Sequence, residues 1–215
     1  WRWKLLHKLL YNRLPINKKR ICVISWDGKY FNCNPKAIAI YISKHNKGNF
    51  QIIAVVENPI LYKNKFPQIK FVKKKSIEHL IAQLSCGIFI ANIRMADFQK
   101  RTGQIYLQTW HGMGPKKSEK DSCDTLTSEY VKNAIRDCGQ TDIMLSGSRW
   151  QTDWIRNSTW YNGTILEVGT PRDDCFFDKE EYAEKKKAVW KTVKSGEKRT
   201  GVVTRIAKFG AFVDI

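Results

Sequence analysis

From residue 20 onward the chain alternates short apolar runs with amphipathic stretches, and that alternation restricts its fold more than any other feature. Runs at 21–26, 51–56, 87–91, 103–109, 142–145 and 164–168 have the length of buried strands, and a further short run at 69–72 lies within a basic connection, 63–75. The intervening stretches carry helical spacing. Asn34-Pro35 opens one that holds Ala37, Ile38, Tyr41 and Ile42, and Ser76 stands ahead of another with Ile77, Leu80, Ile81 and Leu84. Others fall at 127–138 and, after Ser148, at 150–156. Serine at these positions accepts a first-turn N–H that the helix itself leaves unpaired. Strands joined by helical crossovers pair in parallel and are covered on both faces. The expectation is an α/β fold with a Rossmann-like parallel sheet, whose ligand loops lie at the carboxyl ends of the strands.

The two ends differ from this pattern. Residues 1–19 hold basic and no acidic side chains, with Trp3, Leu6, Leu10 and Leu14 near helical spacing and Leu5 and Leu9 widening the stripe. A basic amphipathic helix of this kind suits a membrane interface, and it equally suits packing on the domain with a solvated basic face. The Rossmann-like domain is expected over 20–179, a charged helical linker over 180–195, and a strand, turn and strand over 196–215. Thirty-eight Lys and Arg against 20 Asp and Glu give a formal charge of +18, which favours polyanionic partners: anionic lipid, nucleic acid or a phosphate-rich polymer. No apolar run reaches the length of a spanning helix. The six cysteines are scattered without a CxxC pair, as reduced thiols of a cytoplasmic protein are, and no metal-ligand spacing stands out.

Chemistry concentrates at residues 108–117, Gln-Thr-Trp-His-Gly-Met-Gly-Pro-Lys-Lys, directly after the strand-like run 103–109. An imidazole exchanges a proton near neutral pH, glycine lets backbone approach a ligand, and lysines neutralise phosphate oxygens. His111 is the candidate base, with Gly112, Lys116 and Lys117 as candidate phosphate contacts. A histidine packed at a strand end is the alternative for His111 taken alone. The run 164–168 delivers a second loop of ligand type, Gly169-Thr170-Pro171-Arg172-Asp173-Asp174, in which Arg172 and Asp174 are the candidate contacts. Asp174 can equally cap the next helix.

Three landmarks in this order resemble the CDP-glycerol glycerophosphotransferase family of teichoic acid polymerases and primases over about residues 20–180. They are Trp26-Asp27-Gly28-Lys29-Tyr30-Phe31 followed by Asn34-Pro35, then Leu107-Gln108-Thr109-Trp110-His111-Gly112 with Pro115-Lys116-Lys117, then Gly169-Thr170-Pro171-Arg172-Asp173-Asp174. Met113-Gly114 and Asp173 depart from the family pattern and leave fine substrate preference open. The resemblance implies the amino-terminal, acceptor-side half of a GT-B-type glycosyltransferase fold. It implies transfer of glycerol phosphate from CDP-glycerol to a lipid-linked teichoic acid acceptor at the cytoplasmic face of the membrane, without a cofactor and with the metal requirement open. A donor-nucleotide domain is expected after residue 180 and is absent, so the chain is expected to be truncated and weak or inactive alone.

The tail, 196–215, resembles instead the start of a ribosomal-protein-type RNA-binding OB-fold, as a fusion cut short or a misassembled reading frame would. The rival function is therefore a basic nucleic-acid-binding protein working through that tail. It accounts for the charge and leaves the His111 and Gly169 turns without purpose.

Overall fold

The computed structural model describes residues 2–11, 13–112, 117–177, 202–207 and 210–214. Its centre is a seven-stranded, all-parallel sheet formed by β1 (Asn17–Ile24), β2 (Gln51–Val56), β3 (Lys70–Lys73), β4 (Cys86–Ala91), β5 (Ile105–Gln108), β6 (Ile143–Ser146) and β7 (Thr164–Glu167). The strand order is β3-β2-β1-β4-β5-β6-β7. The order reverses between β1 and β4, which opens a crevice at their carboxyl ends.

Strand periodicity explains why the apolar runs are continuous. Ile21, Val23, Ile52, Ala54 and Ile90 pack on one face of the sheet, while Cys22, Ile24, Ile53, Val55 and Phe89 pack on the other. Both faces are buried, so neither parity of residue is free to be polar. On the second face Phe89 stacks on Phe98 at 3.9 Å between ring centroids, and Tyr106 meets both edge-on.

The helices begin where their caps stand. Ser76 accepts from the His79 N–H ahead of α4 (Ile77–Ser85), Thr127 from Tyr130 ahead of α5 (Ser128–Gln140), and Ser148 from Gln151 ahead of α6 (Arg149–Ser158), each at 3.2 Å. The helix α2 (Cys33–Lys44) follows β1, and a single-turn helix α3 (Ile60–Lys63), too short for periodicity to reveal, follows β2.

The first strand starts at Asn17, earlier than its apolar run, because its basic opening is exposed and only the half from Ile21 is buried. That opening is held close to β4: a Cβ on Gly87 would stand 2.6 Å from the Lys18 Cα. Helix α1 (Arg2–Leu10) packs on α4. Behind it Tyr11 donates to the Lys100 carbonyl at 3.0 Å, and Arg101 lies 5.6 Å over the Tyr11 ring. Leu5 and Leu9 stay 47% and 45% exposed on its outer side. No described helix is long and apolar enough to cross a membrane.

The chain divides into two units, Trp1–Asp173 and Asp174–Ile215. In the second, β8 (Val202–Ala207) and β9 (Gly210–Asp214) pair antiparallel, as the two strands expected there. The helix expected over 180–195 lies outside the described residues.

Because backbone fills the space beside Gly87, Gly87→Ala is expected to push β1 from β4 and to lower stability by about 1–3 kcal/mol. Urea unfolding followed by far-UV circular dichroism measures this, and an unchanged midpoint would refute the close approach.

Candidate active site

Asn34, buried in the first turn of α2, ties two loops together with one side chain. Its Nδ2 donates to the Thr109 carbonyl at 3.2 Å and the Trp110 carbonyl at 3.1 Å, while its Oδ1 accepts the Arg172 N–H at 3.2 Å. The loop after β5 and the loop after β7 are thereby fixed to the helix that follows β1. Four non-glycine residues in these segments have left-handed φ: Trp26 (50°), Asp27 (52°), Cys33 (58°) and Trp110 (52°). Each such residue costs about 1–3 kcal/mol and persists only where its surroundings hold it. Here Asn92 Oδ1 accepts the Trp26 N–H at 2.8 Å, and Gln108 Oε1 accepts the Trp110 N–H at 3.1 Å.

His111 lies between two indoles, with ring centroids 4.9 Å from Trp26 and 5.0 Å from Trp110. Its carbonyl accepts Arg172 Nη1 at 2.9 Å, and the same nitrogen lies 3.4 Å from Cys33 Sγ. Asp173 orients the guanidinium from its other side, Oδ1 to Nε at 3.5 Å. Gly112 has φ +111°, and a Cβ there would stand 3.0 Å from Arg172 Nη2, so only glycine lets the arginine lie this close. Burial holds the imidazole below its ordinary pKa, Arg172 lowers it further, and Glu119 opposes both. The net effect favours the neutral ring, the form able to accept a proton.

Beneath Trp110 lies a buried charge network. Arg94, with its guanidinium 5.2 Å from the Trp110 ring, pairs with Glu119 at 2.5 Å and Asp137 at 3.2 Å. Glu119 also accepts the Tyr130 hydroxyl at 2.5 Å, and Asp137 accepts the Met95 N–H and the Tyr106 hydroxyl. Tyr106 in turn accepts from Gln108, which closes a chain of hydrogen bonds back to Trp110. Burial works against the charge of Arg94, and its acidic neighbours outweigh that, leaving the guanidinium more firmly protonated than usual. Burial and Glu119 push the Tyr130 hydroxyl up to about 12.

On the side of β6 and β7, Asn34, Thr109, Gly112, Leu145, Ser146 and Thr170 line a small cleft with room for about one water molecule. Of the residues expected from sequence, His111, Gly112 and Arg172 come together here. Lys117 is exposed, Lys116 lies outside the described residues, and Asp174 sits in the short turn Pro171–Phe176, where its carbonyl accepts the Phe177 N–H. Asn34, Trp26, Arg94, Glu119 and Ser146 were not expected as site residues. Asn34 and Trp26 stood within quoted motifs, whereas nothing local in the sequence marks Arg94 or Glu119. Among the described residues no group of three or more His, Cys, Asp or Glu side chains is placed to hold a metal ion.

A family model described as CDP-glycerol:poly(glycerophosphate) glycerophosphotransferase matches residues 6–203. A teichoic acid poly(glycerol phosphate) polymerase of Bacillus spizizenii is 29% identical over 175 residues, 77% of this chain and 44% of that protein. A teichoic acid glycerol-phosphate transferase of Staphylococcus aureus is 30% identical over 174 residues, 77% of this chain and 43% of that one. A solved structure of the wall teichoic acid polymerase TagF, a variant soaked with CDPG, superposes with a TM-score of 0.77 at 26% identity, covering 90% of this chain and 49% of that one. The chain thus spans less than half the length of these relatives. The OB-fold resemblance of the tail is not borne out: the family match runs into β8 and ends at residue 203, and β8 and β9 form a two-stranded ribbon.

Because Arg172 lowers the His111 pKa and Glu119 raises it, Arg172→Gln is expected to move it up and Glu119→Gln to move it down. Titration of the His111 ring protons by NMR measures both, and shifts of the same sign would show that the field at the ring is assigned wrongly.

Proposed function

The chain belongs to the CDP-glycerol:poly(glycerophosphate) glycerophosphotransferase family, and on that premise we propose that it is the acceptor-side half of an enzyme that transfers glycerol phosphate from CDP-glycerol. In this reading the described α/β unit is the amino-terminal half of a GT-B-type fold, and the acceptor is a lipid-linked glycerol phosphate polymer. A hydroxyl oxygen of the acceptor attacks the phosphorus that carries glycerol. The bond from that phosphorus to the CMP oxygen breaks, and CMP departs.

The observation that carries the reading is the His111 imidazole packed against Trp26 and Trp110 with Arg172 on its carbonyl. An alcohol is a weak nucleophile at neutral pH, so a base that takes its proton as the new P–O bond forms lowers the barrier. His111 takes that role. Charge that builds on the phosphoryl oxygens and on departing CMP needs fixed positive groups and N–H donors. Arg172 and the Gly112 backbone supply them from the site itself. Lys116 and Lys117 follow in sequence, and Asp174 stands two residues beyond Arg172.

A charge of +18 and the basic helix α1 suit work at the cytoplasmic face of a membrane, on an anionic acceptor. The partners in this reading are CDP-glycerol, the polymer and the lipid surface.

A chimera in which residues 1–177 replace the matching segment of the Bacillus spizizenii polymerase provides the donor half for the test. CMP release from CDP-glycerol with a glycerol phosphate primer is expected to fall about 10²–10⁴-fold on His111→Ala. In the unsubstituted chimera the acid limb of the rate profile is expected below the ordinary histidine pKa, since the folded-state value is lowered and the base form persists to lower pH. A His111→Ala chimera as fast as its parent would refute the assignment.

A further inference from the structure

We propose that Asn92 is a positioning residue for the transfer reaction: it holds the turn Trp26–Gly28 so that Trp26 fixes the ring of His111. The consequence for catalysis rests on the transferase reading, whereas the positioning itself does not.

A general base ordinarily takes its orientation from a third group that hydrogen-bonds its ring. Among the described residues no side chain does this for His111. Its ring packs instead against Trp26 and Trp110, and the two indoles are held differently. Trp110 is buried, with Arg94 against its ring and Gln108 on its N–H. Trp26 is only partly buried, and it stands on a turn in which Trp26, Asp27 and Gly28 have φ of 50°, 52° and 81° in succession. An L-residue enters the left-handed region at a cost, so two non-glycine residues there in a row need contacts that hold them.

Those contacts are of two kinds. At the rim, Lys74 Nζ lies 2.5 Å from Asp27 Oδ2, and the Glu57 N–H donates to the Gly28 carbonyl at 2.7 Å. Both act on residues after Trp26. In the interior, Asn92 Oδ1 accepts the N–H of Trp26 itself at 2.8 Å. Asn92 is fully buried and directly follows β4, where the strand order reverses. The residue before it, Ala91, pairs with Ile24 of β1, and the Ala91 carbonyl accepts the Thr109 N–H at 2.8 Å. Asn92 thus stands between the loop that carries Trp26 and the loop that carries His111.

The other half of the carboxamide argues against a packing role. Asn92 Nδ2 is buried and has no acceptor among the described residues. A buried amide left unpaired is costly, and a leucine of similar size would avoid that cost. What a leucine would lose is the acceptor for Trp26.

The ring current of Trp26 provides the readout, because an indole packed on an imidazole displaces the NMR shifts of the imidazole protons. In the chain itself, Trp26→Leu defines the full displacement of the His111 ring protons. Asn92→Leu is expected to produce at least about half of that change, and Asn92→Asp, which keeps an oxygen acceptor, to produce little of it. Far-UV circular dichroism confirms that each variant is folded, and Asn92→Ala takes the place of Asn92→Leu should the leucine variant not fold. In the chimera, Asn92→Leu is expected to lower kcat about 10²-fold with KM within about 2-fold of its parent, and Asn92→Asp to recover most of the loss. Wild-type His111 ring-proton shifts in Asn92→Leu, or a loss carried by KM alone, would overturn the proposal. So would an Asn92→Asp chimera as slow as Asn92→Leu. A chimera that transfers nothing with Asn92 intact counts against the transferase reading, and the ring-proton shifts then decide the positioning.

Discussion

One buried carboxamide decides whether this molecule has a site at all. Asn34 bonds two carbonyls of the loop after β5 and one N–H of the loop after β7, which are far from it in sequence. Its donors and its acceptor point in different directions, so an aspartate or a leucine of similar size could not make the same three bonds. The left-handed residues on either side explain why such a tie is needed. Cys33 and Trp110, at φ +58° and +52°, keep that conformation only where their surroundings hold it. Strain at this end of the sheet and the hydrogen bonds of Asn34 are two aspects of the same arrangement.

The Arg94 network acts from below. An unpaired buried guanidinium would be expensive, and this one is matched by two carboxylates and a ring face. Its value lies in position rather than in net stability: Asp137 is on α5, Glu119 is on the far side of the 113–116 segment, and Trp110 is on the near side. The network therefore joins Trp110, beside His111, to Glu119 and to α5. Glu119, itself at φ +58°, is held by Arg94 and Tyr130.

The sheet was legible because burial on both faces makes the central strands apolar over most of their buried lengths, and helix starts were legible because Ser76 and Ser148 cap through their own side chains. The opening of β1 was not, since Asn17 to Arg20 are polar and exposed while still paired with neighbouring strands. At the site, His111 and Arg172 were legible as residue types in glycine-rich loops. Asn34 was visible only as part of a motif, because a carboxamide's partners are backbone groups that any sequence possesses. Arg94 and Glu119 were invisible for a related reason: a charged residue destined for burial looks like any surface charge until its partners are known. The OB-like reading of the tail rested on two short strands, a length that many folds share.

Arg172 has two electrostatic roles that act in sequence. Its charge adds to burial in favouring the neutral form of His111, so on the proposed reading the base is available, though a lowered pKa also makes it a weaker base. On the proposed reading the transferred phosphoryl group lies beside Arg172, and its negative charge offsets the field of the guanidinium at the ring. The imidazole then becomes more basic at the moment an acceptor hydroxyl must lose its proton. A lysine would not serve equally well, because the planar guanidinium donates to the His111 carbonyl through Nη1 while its Nε faces Asp173. On that reading the arginine couples the strength of the base to occupancy of the site by the group to be transferred.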